Sequence, residues 1–269
     1  MLLFIKMPLE TAFGKLTLIG GGYHSRVYAN DRNEIVKVYK HNTGMHHLEA
    51  ANMTRAGLGE WLVGTFEVAE QEALVMKRFD GAPVSAKTIV AALPALGVFL
   101  RQMHQDKLEI VDTSLVKQKI ERFRSSLKAF EKPLEPMFTR VQTALESNLL
   151  EVQSSFCHLD LWFENILFAP PNQVRVVDWH KAALDDPARD YALLFTGTLE
   201  LLPIETATHE ILKLAQAENL EPRLPAYVAL STLHDLHWFL EKNPDGFQAA
   251  YDLKVPRITW FLKALASQQ

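Results

Sequence analysis

The stretch His158-Leu159-Asp160-Leu161-Trp162-Phe163-Glu164-Asn165, followed by Val176-Val177-Asp178-Trp179, decides how this chain is read. It supplies a carboxylate, an amide five residues on and a second carboxylate thirteen residues beyond that. The first patch has polar, loop-like surroundings, and Asp178 ends a mostly apolar run from Val174 to Val177. Phosphoryl transfer needs such a set. One carboxylate orients and deprotonates an attacking hydroxyl, and further oxygen ligands hold Mg²⁺ on the nucleotide phosphates.

Outward from this segment the chain changes character. Residues 1–80 read as short β-type runs separated by turns. These runs are Leu16 to Ile19, Arg26 to Ala29 across the Gly20-Gly21-Gly22 turn, Glu34 to Tyr39, Trp61 to Val68 and Ala73 to Phe79, with a helical stretch from His46 to Ala56 between the third and fourth. Asp80-Gly81-Ala82-Pro83 breaks the chain like a hinge. Helical periodicity follows over Thr88 to Gln105, where Pro94 is expected to kink the helix or delay its start. Leu115 to Phe130 and Met137 to Leu150 read as two more helices, separated by Pro133 and Pro136. Helices resume from about Asp190, divided near Pro203, Pro222–Pro225 and Pro244. A β-rich segment followed by a helix-rich one is an α+β arrangement.

Composition narrows the function classes. The chain has 269 residues, is 48% hydrophobic and carries a net charge of −4, so no basic surface recommends nucleic acid. Its single cysteine, Cys157, fits a reducing compartment and reads as a buried strand residue rather than a nucleophile. The apolar run at Met1–Ile5 is too short for a secretory segment, and no stretch approaches a membrane span of roughly 20 residues, so a cytoplasmic enzyme is expected.

His-x-Asp-x4-Asn coupled to a strand-terminal Asp resembles the catalytic and metal loops of the protein-kinase-like fold. The match is closest to its aminoglycoside phosphotransferase/choline kinase branch, the small-molecule kinases. The resemblance runs from Gly20 to about Phe195. It implies a bilobal fold, with a nucleotide-binding lobe over 1–80 and a catalytic and acceptor-binding lobe over 81–269. It also implies ATP and Mg²⁺ as cofactors, Asp160 as the base, and Asn165 and Asp178 as metal ligands. Two departures from protein kinases point to the small-molecule branch. Leu159 replaces the arginine that reads a phosphorylated activation loop, and only seven residues separate Asp178 from Asp186. Trp179 after Asp178 is characteristic of the aminoglycoside branch.

The remaining site candidates carry plainer readings beside the functional one. Gly20, Gly21 and Gly22 would let backbone N–H groups approach a phosphate, but an ordinary hairpin turn fits equally; the resemblance has Ser25 face the phosphates. Lys37, mid-strand among apolar neighbours, needs a counter-charge if buried. The resemblance makes it the α/β-phosphate lysine, held by Glu49, the one acidic residue on the following helix. Met76, the Lys77 carbonyl and the Phe79 amide are placed at an adenine-reading hinge by the resemblance alone. Asp186 reads as a helix cap before Pro187, and the resemblance makes Asp190 the support of the catalytic loop.

The acceptor is expected to be a small hydroxylated molecule. Between Asp185 and Asp252 twelve Asp/Glu face four Lys/Arg, an acidic bias that favours a cation such as an amino sugar and is equally the surface of acidic, soluble helices. Aminoglycoside or macrolide antibiotics, choline, thiamine and sugars all stay open as acceptors. A pseudokinase that binds without turnover would have lost the lysine, base or metal residues, and all are present.

Overall fold

The structure is a computed structural model that describes residues 9–266; the apolar run at Met1–Ile5 lies outside the described residues. The chain divides into two compact units. One comprises the described residues up to Ala82 together with Val177–Ala182, and the other comprises Pro83–Val176 and Ala183 onward.

In the first unit, a helical turn α1 (residues 9–13) leads into five strands: β1 (Leu16–Gly21), β2 (Ser25–Asn30), β3 (Glu34–Tyr39), β4 (Leu62–Val68) and β5 (Gln71–Lys77). They pair antiparallel in the order β1-β2-β3-β5-β4, so β3 is central. Strand alternation sorts the side chains of β3 onto two faces. Val36 and Val38 join Leu9, Phe13, Leu16, Ala73 and Val75 in an apolar cluster. Lys37 and Tyr39 point to the opposite face, where α2 (Met45–Arg55) packs against β4 and β5.

The glycine turn differs from its sequence reading. Gly20 and Gly21 belong to β1, and the reversal runs from Gly22 to Ser25, closed by the Gly22 N–H donating to the Ser25 carbonyl at 3.0 Å. Gly21 has φ +149°, and a Cβ there would meet the Ser25 carbonyl oxygen at 2.8 Å, so this glycine is required by the hairpin itself. At Gly20 and Gly22 a Cβ would meet nothing within 4 Å.

After the two-residue strand β6 (Ala82–Pro83), the second unit is built from α3 (Ile89–Met103), α4 (Ser114–Ser126), α5 (Glu131–Glu146), α6 (Pro187–Gly197), α7 (Ile204–Gln216), α8 (Leu224–Lys242) and α9 (Pro244–Ala266). Helix α8 packs against α5, α6 and α9, and Leu224 through Leu233 are all buried, as a helix apolar on every side must be. Two small antiparallel pairs interrupt the helices, β7 (Ser155–Cys157) with β10 (Ala183–Asp185) and β8 (Ile166–Ala169) with β9 (Gln173–Val176). Cys157 is fully buried on β7, and burial pushes its thiol pKa well up, away from nucleophilic use.

The helices divide near Pro203, Pro222–Pro225 and Pro244 as expected, but Pro94, Pro133 and Pro136 do not act as boundaries. Helix α3 begins at Ile89 and runs through Pro94, and α5 begins at Glu131 and contains Pro133 and Pro136. A proline at the third position costs no intrahelical bond, because the first four N–H groups have no partner there anyway. Pro94 and Pro136 each sit sixth in their helix and forfeit one bond. The fully buried faces at Leu93, Leu96 and Leu100, and at Leu134, Phe138 and Val141, hold the two helices together across that gap.

Candidate active site

In the first unit Lys37 is 7% exposed, and its ammonium has no water to rely on. It donates to both Glu49 carboxylate oxygens, at 2.9 and 2.7 Å, and to Asp178 Oδ1 at 2.6 Å. Burial works to lower its pKa, but the two carboxylates outweigh it and hold the value above the ordinary lysine range. Glu49, 1% exposed, also accepts from the Tyr39 hydroxyl and from the Trp179 N–H at 3.2 Å.

The Asp178 segment is fastened to α2. The Asn52 side-chain amide donates to the Trp179 carbonyl at 2.9 Å and to the Ala182 carbonyl at 3.3 Å, and Trp179 is buried. Asp178 itself has φ +68°, a left-handed conformation that costs a non-glycine residue of order 1–3 kcal/mol and survives only where surrounding contacts impose it. Its carboxylate is about one-third exposed. Partial burial works against its ionisation, yet the His180 hydrogen bond at 2.8 Å and the Lys37 charge hold its pKa well below the usual carboxylate range.

In the second unit the loop after β7 is held from beneath. Asp190, fully buried on α6, accepts the N–H groups of His158 and Leu159 at 2.8 and 2.7 Å. Those bonds set the left-handed turn at Leu159, with φ +61°, that presents Asp160. Asp160 is half-buried, and Asn165 folds back on it, donating Nδ2 to the Asp160 carbonyl at 2.9 Å and to Oδ2 at 3.3 Å. With Nδ2 so committed, the Asn165 amide oxygen is the group left to meet a cation. The far side of the loop is anchored by the Thr198 hydroxyl donating to the Leu161 carbonyl at 2.8 Å. Asp186 caps α6 by accepting the Ala188 N–H and is paired with Arg223.

Beneath Asp190 lies a layer that the sequence did not announce. His104, at the end of α3, contacts Asp190 Oδ2 through Nε2 at 3.1 Å and Glu218 Oε2 through Nδ1 at 3.2 Å, and Tyr191 donates to Glu218. Burial disfavours the imidazolium, but the bonds to Asp190 and Glu218 prevail and push the His104 pKa up to about 9. The sign of the linkage follows. Stability from this proton is complete below the unfolded value of 6.5, declines above it and is lost as pH rises through about 9. Thermal unfolding across that interval is expected to show a downward slope that His104→Gln lacks. Parallel slopes in the two proteins would refute the charged histidine.

The structure thus brings Lys37, Glu49 and Asp178 together in one unit, and Asp160 with Asn165 in the other. Ser25, 6% exposed, pairs with Tyr39, while Met76 and Lys77 pair with Ile35 and Glu34 at the end of β5. Phe79 lies past β5 with its ring edge-on to Trp61. Sequence reasoning missed Tyr39, Asn52, His180, His104 and Glu218 as supports. Tyr39 alone had a signal, since it shares a strand face with Lys37 two residues away.

Comparison with known proteins accords with this geometry. The fold matches wild-type aminoglycoside 2'-phosphotransferase-IIIa in its GDP complex, with a TM-score of 0.71 and 14% identity over 96% of this chain and 98% of that one. It also matches a choline/ethanolamine kinase family protein from Mesorhizobium loti, with a TM-score of 0.69 and 18% identity over 95% and 90% of the two chains. Choline kinase LicA from Streptococcus pneumoniae gives a TM-score of 0.66 and 18% identity, with 98% of each chain covered. Identities this low speak for the fold, which is the kinase-like one. No curated protein matches the chain in sequence. Residues 15–230, from β1 into α8, match the family described as the Phosphotransferase enzyme family, and to that family this chain belongs.

Proposed function

We propose that the chain is an ATP- and Mg²⁺-dependent O-phosphotransferase that phosphorylates a hydroxyl of a small molecule. The observation that carries this reading is Lys37, kept charged inside the first unit by Glu49 while also bonded to Asp178. An ion cluster buried at that cost is a common mark of a functional site. The nucleotide class draws support from the GDP in the aminoglycoside phosphotransferase neighbour. ATP points to a cytoplasmic setting, and no helix among the described residues is long and apolar enough to cross a membrane.

The residues fit a hard divalent cation. Asp178 is anionic at neutral pH and partly exposed, and Asn165 has its amide oxygen to offer. When bound, Mg²⁺ neutralises charge developing on the transferred phosphoryl group. Everything else falls to the chain. Lys37 turns from Asp178 to the α/β-phosphates, and Glu49 keeps its other two hydrogen bonds throughout. Asp160, fixed by Asn165 and by the Asp190-held turn, orients the acceptor hydroxyl and takes its proton as the oxygen bonds to the γ-phosphorus and the bridging oxygen departs with ADP. Gly20 and Gly22, where packing does not demand glycine, leave a phosphate room for close approach. Met76, Lys77 and Phe79 are the proposed adenine contacts.

Asp178→Ala is expected to weaken Mg²⁺-dependent nucleotide binding by at least about tenfold more than Asn165→Ala does, because an anionic ligand offsets more of the cation's desolvation than a neutral amide. Calorimetric titration with ATP and Mg²⁺ measures both. Unimpaired binding in both variants would move the metal elsewhere.

Half of the twelve carboxylates between Asp185 and Asp252 are committed to internal pairs. Asp185 pairs with Arg189, Asp186 with Arg223, Asp190 and Glu218 with His104, and Glu200 and Asp235 with the buried Lys254. That leaves Glu205, Glu210, Glu221, Glu241, Asp245 and Asp252, none of them buried, and an amino-sugar acceptor rests on these together with the aminoglycoside phosphotransferase fold neighbours. Labelled ATP and GTP with a panel of aminoglycosides, macrolides, choline, thiamine and neutral sugars tests the proposal. Transfer to one class assigns the acceptor, and no transfer to any hydroxyl compound refutes the reading.

A further inference from the structure

A second cluster in the first unit lies outside everything described so far. Glu67 on β4 and Glu72 on β5 are direct cross-strand partners, so two carboxylates stand side by side on the sheet face that α2 covers. Like charges placed opposite one another destabilise a strand pair unless something positive sits with them. The first turn of α2 lies over them with two adjacent histidines, His46 and His47, whose rings stack at 3.9 Å.

His46 is 1% exposed, its Nδ1 faces the Glu72 carboxylate and its Nε2 has no hydrogen-bond partner. A buried imidazole left in that state is rare and calls for a ligand. Its Nδ1 lies 3.1 Å from Glu72 Oε2 and is paired with it. Glu72 is itself fixed, its Oε1 accepting the Gly44 N–H at 2.8 Å. One ligand atom each from His46, His47 and Glu67 fall within 4.8 Å of one another, and His47 and Glu67 are exposed to solvent.

We propose that His46, His47 and Glu67 form a binding site for a zinc-type divalent cation, with Glu72 orienting the His46 ring. Two imidazoles and a carboxylate are a donor set that zinc accepts, and they select against Mg²⁺, which takes oxygen ligands. Two ligands of one tetrahedral zinc stand about 3.4 Å apart, so closure needs only small rotations of the exposed His47 and Glu67 side chains. Their exposure also leaves an entry path and a fourth position for water. Glu72 behind His46 is the carboxylate–histidine–metal arrangement that fixes ring orientation. The other His/Cys/carboxylate cluster, His104 with Cys157 and Asp190, is unlike this one, because both His104 nitrogens are already taken.

The consequence falls on α2. Glu49, the partner of Lys37, lies one turn beyond His46, so a cation tying the first turn of α2 to β4 would brace the helix that holds the lysine.

The test uses tag-free, full-length protein stripped by a chelator and titrated with Zn²⁺ in the presence of excess Mg²⁺. One Zn²⁺ per chain is expected, with a rise in the thermal unfolding temperature, and Co²⁺ substitution should give the electronic spectrum of mixed nitrogen and oxygen ligation. His47→Ala and Glu67→Gln change exposed side chains and leave the fold intact. Each is expected to weaken zinc binding by at least about 100-fold and to abolish the thermal shift. Asp178→Ala should bind zinc as wild type does. Absence of zinc binding, full affinity in either His47→Ala or Glu67→Gln, or loss of zinc with Asp178→Ala would each overturn the site.

Discussion

Asp160→Asn is expected to lower kcat by about 10²–10⁴-fold while nucleotide affinity stays within a small factor of wild type. The size of the effect follows from what is removed. The asparagine side chain keeps the shape and can still accept from Asn165, so the loop held by Asp190 and Thr198 does not move. What disappears is the negative charge that takes up the proton of the acceptor hydroxyl as it attacks. Because the loss lies in the reacting step, kcat and kcat/KM should fall together, with KM little changed. Steady-state kinetics with an acceptor found by the panel, and ATP titration of the same variant, measure the two quantities. Wild-type turnover in Asp160→Asn would remove the residue from the mechanism.

Lys37→Met is expected to cut kcat/KM by about 10²–10³-fold, the range for deleting one preorganised donor at developing charge. Methionine matches the aliphatic stem of the lysine, so the packing on the α2 face of β3 is kept. The cost lies in Glu49, which is left buried with only Tyr39 and the Trp179 N–H as donors, and in Asp178, which retains His180. Breaking a buried pair typically destabilises by about 3–5 kcal/mol. The unfolding temperature should therefore drop, and activity must be read below the new transition. Glu49→Gln separates the two roles. It keeps an acceptor for Tyr39 and leaves Lys37 bonded to Asp178, so it should lose less activity than Lys37→Met. Equal activity losses in Lys37→Met and Glu49→Gln would show that the pair serves stability and that the lysine charge has no task of its own.

How much of this was legible beforehand depended on the range of the interaction. Strand β3 and helix α2 could be read to within a residue or so, because their signals are local, in the turn residues Asn30 to Asn33 before the apolar and charged run around Lys37 and in an uninterrupted run without Gly or Pro. Asp160, Asn165 and Asp178 stood out because their spacing along the chain carries a pattern, and the structure sets Asn165 on Asp160 and Asp178 beside Lys37. Helix α5 was misread because proline was taken as a boundary, whereas a proline in the first turn breaks no bond and a buried face outweighs one lost bond further in. The acidic bias after Asp185 was visible as a count, but not its partners, since Lys254 and His104 reach those carboxylates from distant positions in the chain.

By itself, then, the sequence determined the α+β order of the elements, the carboxylate–amide–carboxylate motif and the need of Lys37 for a counter-charge. These follow from periodicity, spacing and the cost of burying an ammonium, all of which act on residues near one another in the chain. Only the tertiary structure decided that Asp178 shares Lys37 with Glu49, that His104 and Glu218 stand behind the loop that carries Asp160, and that His46 and His47 meet a pair of cross-strand carboxylates. Electrostatic and hydrogen-bonding partners act over a few ångströms of space whatever their separation in sequence, and folding alone sets which charges come within that reach.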